Sequence, residues 1–176
     1  LVDMQVAKCA CGHESGIGIR MFRGLECEYL YSADVREEKV FGLLKERLST
    51  GGVFGKRTPL STIMPHGIVM QGILPRDMKL KKKVYSLQEA IKAGKSEADC
   101  VVQGRACYVD ADQRVQIGNT EGVYAEDRRV YTRVRFTMVA ADEKSESRQT
   151  GFIGPGAMQG PEFLHTETFV DQARKA

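Results

Sequence analysis

The most regular pattern in the chain is the alternation in "RRVYTRVRFTMVAAD", residues 128–142. Apolar side chains and one Thr occupy every second position, and the positions between them are mostly cationic. The two sets are Val130, Thr132, Val134, Phe136 and Met138 on one side, and Arg129, Tyr131, Arg133 and Arg135 on the other. A period of two is typical of a β-strand with one buried face. The segment therefore predicts a strand with one apolar face and one cationic face.

Other strands are predicted close to this one in the chain, and the full set is 99–109, 113–119, 122–127, 129–141 and 147–153. Asp110 to Asp112 and the cluster from Asp142 to Glu146 are predicted turns, because Asp and Ser favour turns. The Gly- and Pro-rich stretch "GFIGPGAMQGPEF" then leads into a helix near 166–176. This part of the chain is expected to form a mainly antiparallel sheet.

Two helices are predicted before the sheet. The first, over 35–49, has a stripe at helical spacing, with Asp34 as its cap and Gly51 just past its end. The second covers 78–94, where one apolar stripe runs across Ser86 and favours a single helix over a short one that begins there. Its lysines are expected to lie mostly on the water side; they are Lys79, Lys81, Lys82 and Lys83.

A β-hairpin is predicted near the start of the chain, from 16–22 and 25–31 in "SGIGIRMFRGLECEYLYSAD". Arg23-Gly24 supplies the turn, because Gly tolerates a positive φ. The register of the two strands stays open. Gly16 and Gly18 are unexpected here, since Gly weakens a strand and has no side chain to pack.

Together these elements predict an α+β chain. Residues 1–50 form a hairpin-plus-helix lobe, residues 51–77 a long connection, and residues 78–176 a lobe with a helix and a mainly antiparallel sheet with flanking helices. The chain opens on Leu1 in an apolar stretch and closes in a predicted helix, which indicates a fragment, or missing chain near residues 10 and 55.

Composition argues against several classes of protein. The chain has 176 residues, a net charge of +3, five cysteines and no Trp. No apolar run approaches the roughly 20 residues of a membrane helix, and the first residues lack the pattern of a signal peptide. An odd number of sparsely placed cysteines favours a reducing compartment, the cytoplasm. The mild charge and few aromatic residues disfavour nucleic-acid binding.

No active site is evident from the residues alone. Cys9, Cys11 and His13 are residue types that bind zinc, but their spacing matches no knuckle or ribbon, so structural roles are favoured. His66 stands alone, and the carboxylates near His165, at Glu162 and Glu167, are expected at a helix start because of the helix dipole. The stretch "TGGVFGKRT" lacks the spacing of a phosphate loop. The lysine run at 79–83 is interpreted as a solvated face.

The order of these pieces resembles the TldD/PmbA family, proteins once called modulators of DNA gyrase. "SGIGIRMFRG", followed by "EYLYSAD" and a helix, resembles the Gly-x-Gly-x-Arg hairpin near the start of those proteins. "VQIGNTEGVYAEDRRVYTRVRFTMVA" is similar to their strand, Asn-x-x-Gly turn and long arginine-bearing strand. "SRQTGFIGPGAMQGPEF" is similar to their glycine-rich segment. The resemblance covers nearly everything from Gly16 onward, apart from residues 51–77.

The resemblance implies a cytosolic role in proteolysis and maturation of unfolded peptides. TldD-type members are zinc metallopeptidases that cut unfolded peptides inside a cavity enclosed by a dimer, and PmbA-type (TldE) members are their silent partners. The family holds zinc in a C-terminal domain, on a helix with H-E-x-x-x-H and through a later cysteine. This sequence contains no such motif. The resemblance therefore implies no catalytic or metal residue and no cofactor in this chain, which would be inactive alone.

The expected partners follow from the same resemblance. They are a TldD/PmbA-type subunit, in a homodimer or a heterodimer, and an unfolded peptide, with neither nucleic acid nor membrane. Whether the whole protein is an enzyme stays undecided, because a non-catalytic peptide-binding or regulatory module of the PmbA/TldE type is the alternative.

The residues that match the family motifs are Gly16, Gly18 and Arg20 in the hairpin and Asn119 and Gly122 in the turn. Two interpretations of the glycines stay open. An extended peptide or another backbone lies directly on the strand, with Arg20 anchoring a carboxylate, or the glycines accommodate a neighbouring helix. The sequence departs from the family at Glu28, where a small residue is common.

Overall fold

The computed structural model describes residues 1–48, 59–62, 72–142 and 147–176. In chain order its elements are β1 (Ile17–Arg23), β2 (Glu26–Ser32), α1 (Glu37–Leu48), β3 (Ser61–Thr62), α2 (Leu80–Lys95), β4 (Val101–Gly118), β5 (Val123–Ala141), β6 (Arg148–Ile153), β7 (Gly156–Ala157), a 3-10 helix (Pro161–His165) and α3 (Glu167–Arg174). The predicted α+β class is confirmed.

The chain divides into two compact units. Ala10–Arg57 forms the hairpin unit, which holds β1, β2 and α1. Leu1–Cys9 and Thr58–Ala176 form the sheet unit, which holds all later elements. The long connection predicted over 51–77 lies largely outside the described residues.

The hairpin unit begins with the two predicted strands. β1 and β2 pair antiparallel along their whole length, which settles the register. Gly24 has a φ of +61°, a conformation that glycine adopts without steric cost. α1 begins at Glu37, two residues later than predicted. The Asp34 carboxylate accepts hydrogen bonds from the backbone N–H and the guanidinium of Arg36, just before the helix.

In the sheet unit, β5 is the central strand. One edge of β5 pairs antiparallel with β4 over almost its full length. Its other edge pairs with β3 in parallel, and then with β7 and β6, both antiparallel. The first residues of the chain add to the outer edge of β4, where Val2 forms a bridge with Arg105. The sheet is mainly antiparallel, as predicted.

The long β4–β5 hairpin differs from the prediction. The sequence prediction placed a turn at 110–112 and separate strands at 122–127 and 129–141, whereas β4 and β5 are each continuous. The predicted turn is wrong because both aspartates lie in the extended strand β4 and form ion pairs with cations of neighbouring elements. Asp110 pairs with Lys83 and Asp112 with Arg128.

The core of the sheet unit lies between one face of the sheet and the helices. The predicted alternation is confirmed, since residues 130, 132, 134, 136 and 138 are buried while 129, 131, 133 and 135 are exposed. Phe136 of β5 packs against Phe169 of α3, with ring centroids 5.2 Å apart, and Phe163 lies 6.0 Å from the same ring. These rings join the helical layer to the sheet.

The helices of the sheet unit fall close to the predicted ranges. α2 covers Leu80–Lys95 and α3 covers Glu167–Arg174, with the 3-10 helix before it. Among the described residues, no helix combines the length and apolar character that a membrane crossing requires.

Candidate functional site

The Gly-x-Gly-x-Arg motif lies on one exposed face of the hairpin unit. Gly18 is opposite Tyr31 and Arg20 is opposite Tyr29 in the antiparallel register, and directly opposed residues share a face. Tyr29, Tyr31 and Phe22 on this face are 59%, 65% and 71% exposed. We call it the hairpin aromatic face, made of Gly16, Gly18, Arg20, Phe22, Tyr29 and Tyr31.

The two glycines make room for the tyrosine rings of β2. A Cβ added at Gly16 would lie 2.8 Å from the Tyr31 hydroxyl oxygen, and one added at Gly18 would lie 3.1 Å from Tyr29 Cζ. The nearest neighbours of both glycines are thus tyrosines of the same hairpin, which neither sequence interpretation considered. The sequence does carry a signal for this packing, because in the hairpin each glycine of the first strand has a tyrosine diagonally across from it on the second strand. Peptide contact at these positions stays a prediction.

Arg20 is the cation of the hairpin aromatic face. Its guanidinium carbon lies 5.7 Å from the centroid of the Tyr29 ring, within cation–π range. In the described parts of the chain, no carboxylate forms an ion pair with Arg20. Its N–H donors are therefore available to an external carboxylate.

Asn119 and Gly122 form the turn between β4 and β5. The Asn119 Oδ1 accepts hydrogen bonds from the backbone N–H groups of Glu121 and Val123, at 3.1 and 2.9 Å. Gly122 has a φ of +94°, which disfavours any residue with a side chain. The contacts of these two matched residues are those of a tight turn.

The face of the sheet opposite the helices is cationic. Its exposed arginines, which define the cationic sheet face, are Arg105, Arg129, Arg133, Arg135 and Arg148. The lysine run of α2 does not join them, because α2 packs on the other side of the sheet. The structure thus separates two basic groups that are both prominent in the sequence.

Lys79, Lys81 and Lys82 are exposed, as predicted, but Lys83 of α2 is buried. Its Nζ donates to the carbonyl oxygen of Pro75 at 2.8 Å and to the Asp110 carboxylate. The Tyr108 hydroxyl donates to the same carboxylate at 2.6 Å. Burial, together with the neighbouring Asp110, raises the pKa of Tyr108. The group is an internally satisfied network that links α2 to β4.

The described residues do not fit a zinc ion. No three His, Cys, Asp or Glu side chains among them come together to hold a metal. Cys9, Cys11 and His13 are exposed, and His66 lies outside the described residues. Glu162 accepts the backbone N–H groups of Gly160 and Ile73, at 3.0 and 3.1 Å, which is a capping role.

Comparisons with known proteins give one consistent result. The family model described as the PmbA/TldA metallopeptidase central domain matches residues 73–176. A crystal structure from Thermotoga maritima, of a protein that has been called a modulator of a DNA gyrase, has a TM-score of 0.71 and 14% identity with this chain. The match covers 100% of this chain but only 39% of that one. The comparison with curated proteins found no match.

Proposed function

Because this chain belongs to the PmbA/TldD family, whose central domain it contains at residues 73–176, we propose that it acts in the proteolysis and maturation of unfolded peptides. It is the N-terminal and central part of a TldD/PmbA-like protein. The match to the metallopeptidase central domain is the observation that carries the proposal.

In this proposal the chain forms part of the wall of a peptide chamber. It also takes part in a dimer, either with a second copy of itself or with a TldD/PmbA-type partner. Zinc and the general base belong to a C-terminal domain, where the metal would polarise the peptide carbonyl and activate water. The part proposed for this chain is contact with the peptide. The hairpin aromatic face supports this part with exposed rings and with Arg20, which has no ion pair among the residues that the structure describes.

The proposed compartment is the reducing cytoplasm. All five cysteines are free and exposed, and exposed thiols persist best where thioredoxin and glutathione keep them reduced. Blocking exposed thiols in intact cells before lysis would detect all five as reduced if the proposal is right.

The first experiment is the intact denatured mass of the natural protein, with zinc quantified in the same sample. We expect a mass more than twice 19.6 kDa, bound zinc, and cleavage of an unfolded peptide that a chelator abolishes. A natural chain near 19.6 kDa with neither zinc nor peptidase activity would overturn the peptidase proposal.

A non-catalytic partner of the PmbA/TldE type is the second candidate. The hairpin aromatic face favours it, because this face offers exposed aromatic rings and a cation, the groups of a peptide-binding surface. Such a protein would have the long natural chain and would bind unfolded peptide, but would carry no H-E-x-x-x-H motif and would not cut.

A further inference from the structure

We propose that the cationic sheet face binds extended acidic peptides, with carboxylates at alternate positions. The inference rests on the proposed function, which it deepens by naming a class of peptide. The arginines of this face and the geometry of the sheet carry it.

The cationic sheet face has a large uncompensated charge. Arg129 is the only one of its arginines with an acidic partner among the described residues, Asp127, at 2.7 Å. Asp127 is also the only carboxylate on this side of the described strands. The remaining arginines have no ion pair within the described ranges. A surface of this kind is complementary to an anionic partner.

The spacing of the arginines suits an extended peptide. Arg133 and Arg135 are alternate residues of β5, and Arg129 lies in the same row, with Tyr131 between it and Arg133. Alternate residues of a strand are about 6.6–6.8 Å apart. An extended peptide has the same repeat, so carboxylates at alternate residues can meet Arg135, Arg133 and, past Tyr131, Arg129. A guanidinium binds a carboxylate through two parallel hydrogen bonds.

One of these guanidinium groups lies over an aromatic ring. The Arg135 guanidinium carbon lies 4.7 Å from the centroid of the Phe152 ring. A cation–π contact of this kind uses none of the N–H donors that bind a carboxylate. It also reduces the conformational freedom that would be lost on binding.

The same contacts favour a peptide over a nucleic acid. Arg135 covers one face of the Phe152 ring, and Tyr131 is only 39% exposed, so bases have few rings on which to stack. The lysines of α2 lie on the other side of the sheet and cannot extend the surface into one phosphate-binding groove.

The test is peptide binding to the natural full-length protein, measured by fluorescence anisotropy. The probes are a labelled peptide of alternating Asp and Thr and its counterpart of alternating Asn and Thr. We expect the acidic peptide to bind about tenfold more tightly, since a few exposed ion pairs add modest free energy each. The difference should shrink as salt is raised, because salt screens exposed charges.

Matched variants locate the binding surface. Arg133→Gln with Arg135→Gln should abolish the preference for the acidic peptide. Lys81→Gln with Lys82→Gln removes the same charge from the opposite side of the sheet and should leave the preference unchanged. Equal losses in the two double variants, or equal affinity for the two peptides, would overturn the inference.

A single-stranded oligonucleotide is the competing probe. If it binds more tightly than the acidic peptide and depends on Arg133 and Arg135, the surface is for nucleic acid and the inference is wrong. Because binding is measured without cleavage, the two proposals fail separately. Preferential binding of the acidic peptide without any peptidase activity would contradict only the proposed peptidase function. Cleavage of unfolded peptides without a preference for the acidic peptide would contradict only this inference.

Discussion

Tyr29 and Tyr31 occupy the space that Gly18 and Gly16 leave open on the hairpin. Glycine is unfavourable inside a strand, and an aromatic ring placed over it restores lost packing. Each tyrosine and its glycine therefore act as a pair, and a change to one member alone should lower stability.

We expect Gly18→Ala to lower the free energy of unfolding of the hairpin unit by about 1 kcal/mol, because the added methyl group overpacks against the Tyr29 ring and hydroxyl. Denaturant unfolding monitored by tyrosine fluorescence measures it. Gly12→Ala is the control, since nothing lies within 4 Å of a Cβ there. The cost should fall when Tyr29→Phe removes the hydroxyl, and an unchanged cost would contradict the pairing.

Lys83 and Asp110 form a largely buried ion pair, with side chains 10% and 19% exposed. Removing one partner of such a pair leaves the other charge buried without compensation. The Tyr108 hydroxyl and the Pro75 carbonyl complete the hydrogen bonds of the pair.

Lys83→Met should therefore destabilise the sheet unit by about 3–5 kcal/mol, as measured by thermal or denaturant unfolding. The double variant Lys83→Met with Asp110→Asn should cost less, because no buried charge remains. Lys81→Met on the exposed side of α2 should change stability by less than about 0.5 kcal/mol. A loss at Lys83 no larger than that at Lys81 would show that the pair contributes little.

The turn between β4 and β5 controls the longest hairpin of the sheet. Gly122 has a φ of +94°, and its carbonyl accepts the backbone N–H of Ser61 at 2.6 Å. The turn therefore both closes the hairpin and positions β3 beside β5.

Gly122→Ala should destabilise the sheet unit by about 1–2 kcal/mol, because a Cβ is strained in the left-handed region. Gly118→Ala in the same hairpin is the control, since a Cβ there meets nothing closer than 3.7 Å. Unfolding in denaturant compares the two. Equal effects would mean that the turn conformation is not the source of the loss.

Two like charges face each other in the β4–β5 hairpin, near its turn, where Arg114 lies directly across from Arg128. Such a pair is unfavourable. Asp112 compensates it through two hydrogen bonds from Arg128, at 2.7 and 2.6 Å. The bond from Arg128 is the main cause that lowers the pKa of Asp112.

This lowered pKa gives stability a defined pH dependence. Since the folded pKa is below the unfolded value of about 3.9, the Asp112 contribution is fully present above pH 4 and is lost as the pH falls through the folded pKa. Asp112→Asn should thus destabilise the protein at neutral pH, by up to about 1 kcal/mol, and match the parent in strong acid.

Unfolding measured over a pH series tests the dependence at Asp112. The control is Asp99→Asn, because Asp99 makes no ion pair with the other described residues. A difference between Asp112→Asn and its parent that stays constant with pH would contradict the assignment.

Over the whole sheet unit, stability depends on the aromatic contact between helices and sheet. Phe169 of α3 is fully buried against Phe136 and Phe163. Phe169→Ala should cost about 3–5 kcal/mol through lost burial and the cavity that it leaves. Phe152→Ala is the matched control, because Phe152 is 66% exposed and should cost far less. Thermal unfolding measures both, and similar losses would show that α3 is not part of the core.

Part of this structure follows from residues that are neighbours in the chain. The alternation in 128–142 determined which side of β5 is buried, and Gly24 determined the hairpin turn through its tolerance of positive φ. Hydrophobic period and turn preference act over a few residues. For that reason the α+β class and most elements could be predicted from the sequence, along with the turn role of Gly24.

Contacts between distant residues were decided only in the tertiary structure. Lys83 can be buried because its ammonium group forms an ion pair with Asp110, 27 positions away in the chain. The same contact holds Asp110 within the extended strand β4, where the sequence predicts a turn. Leu1 lies beside β4 because its backbone nitrogen donates a hydrogen bond to the carbonyl oxygen of Ala106, 105 positions away in the chain. No local pattern identifies such partners, because burial of a charge is favourable only when the folded chain brings its counter-charge and hydrogen bonds to the same place.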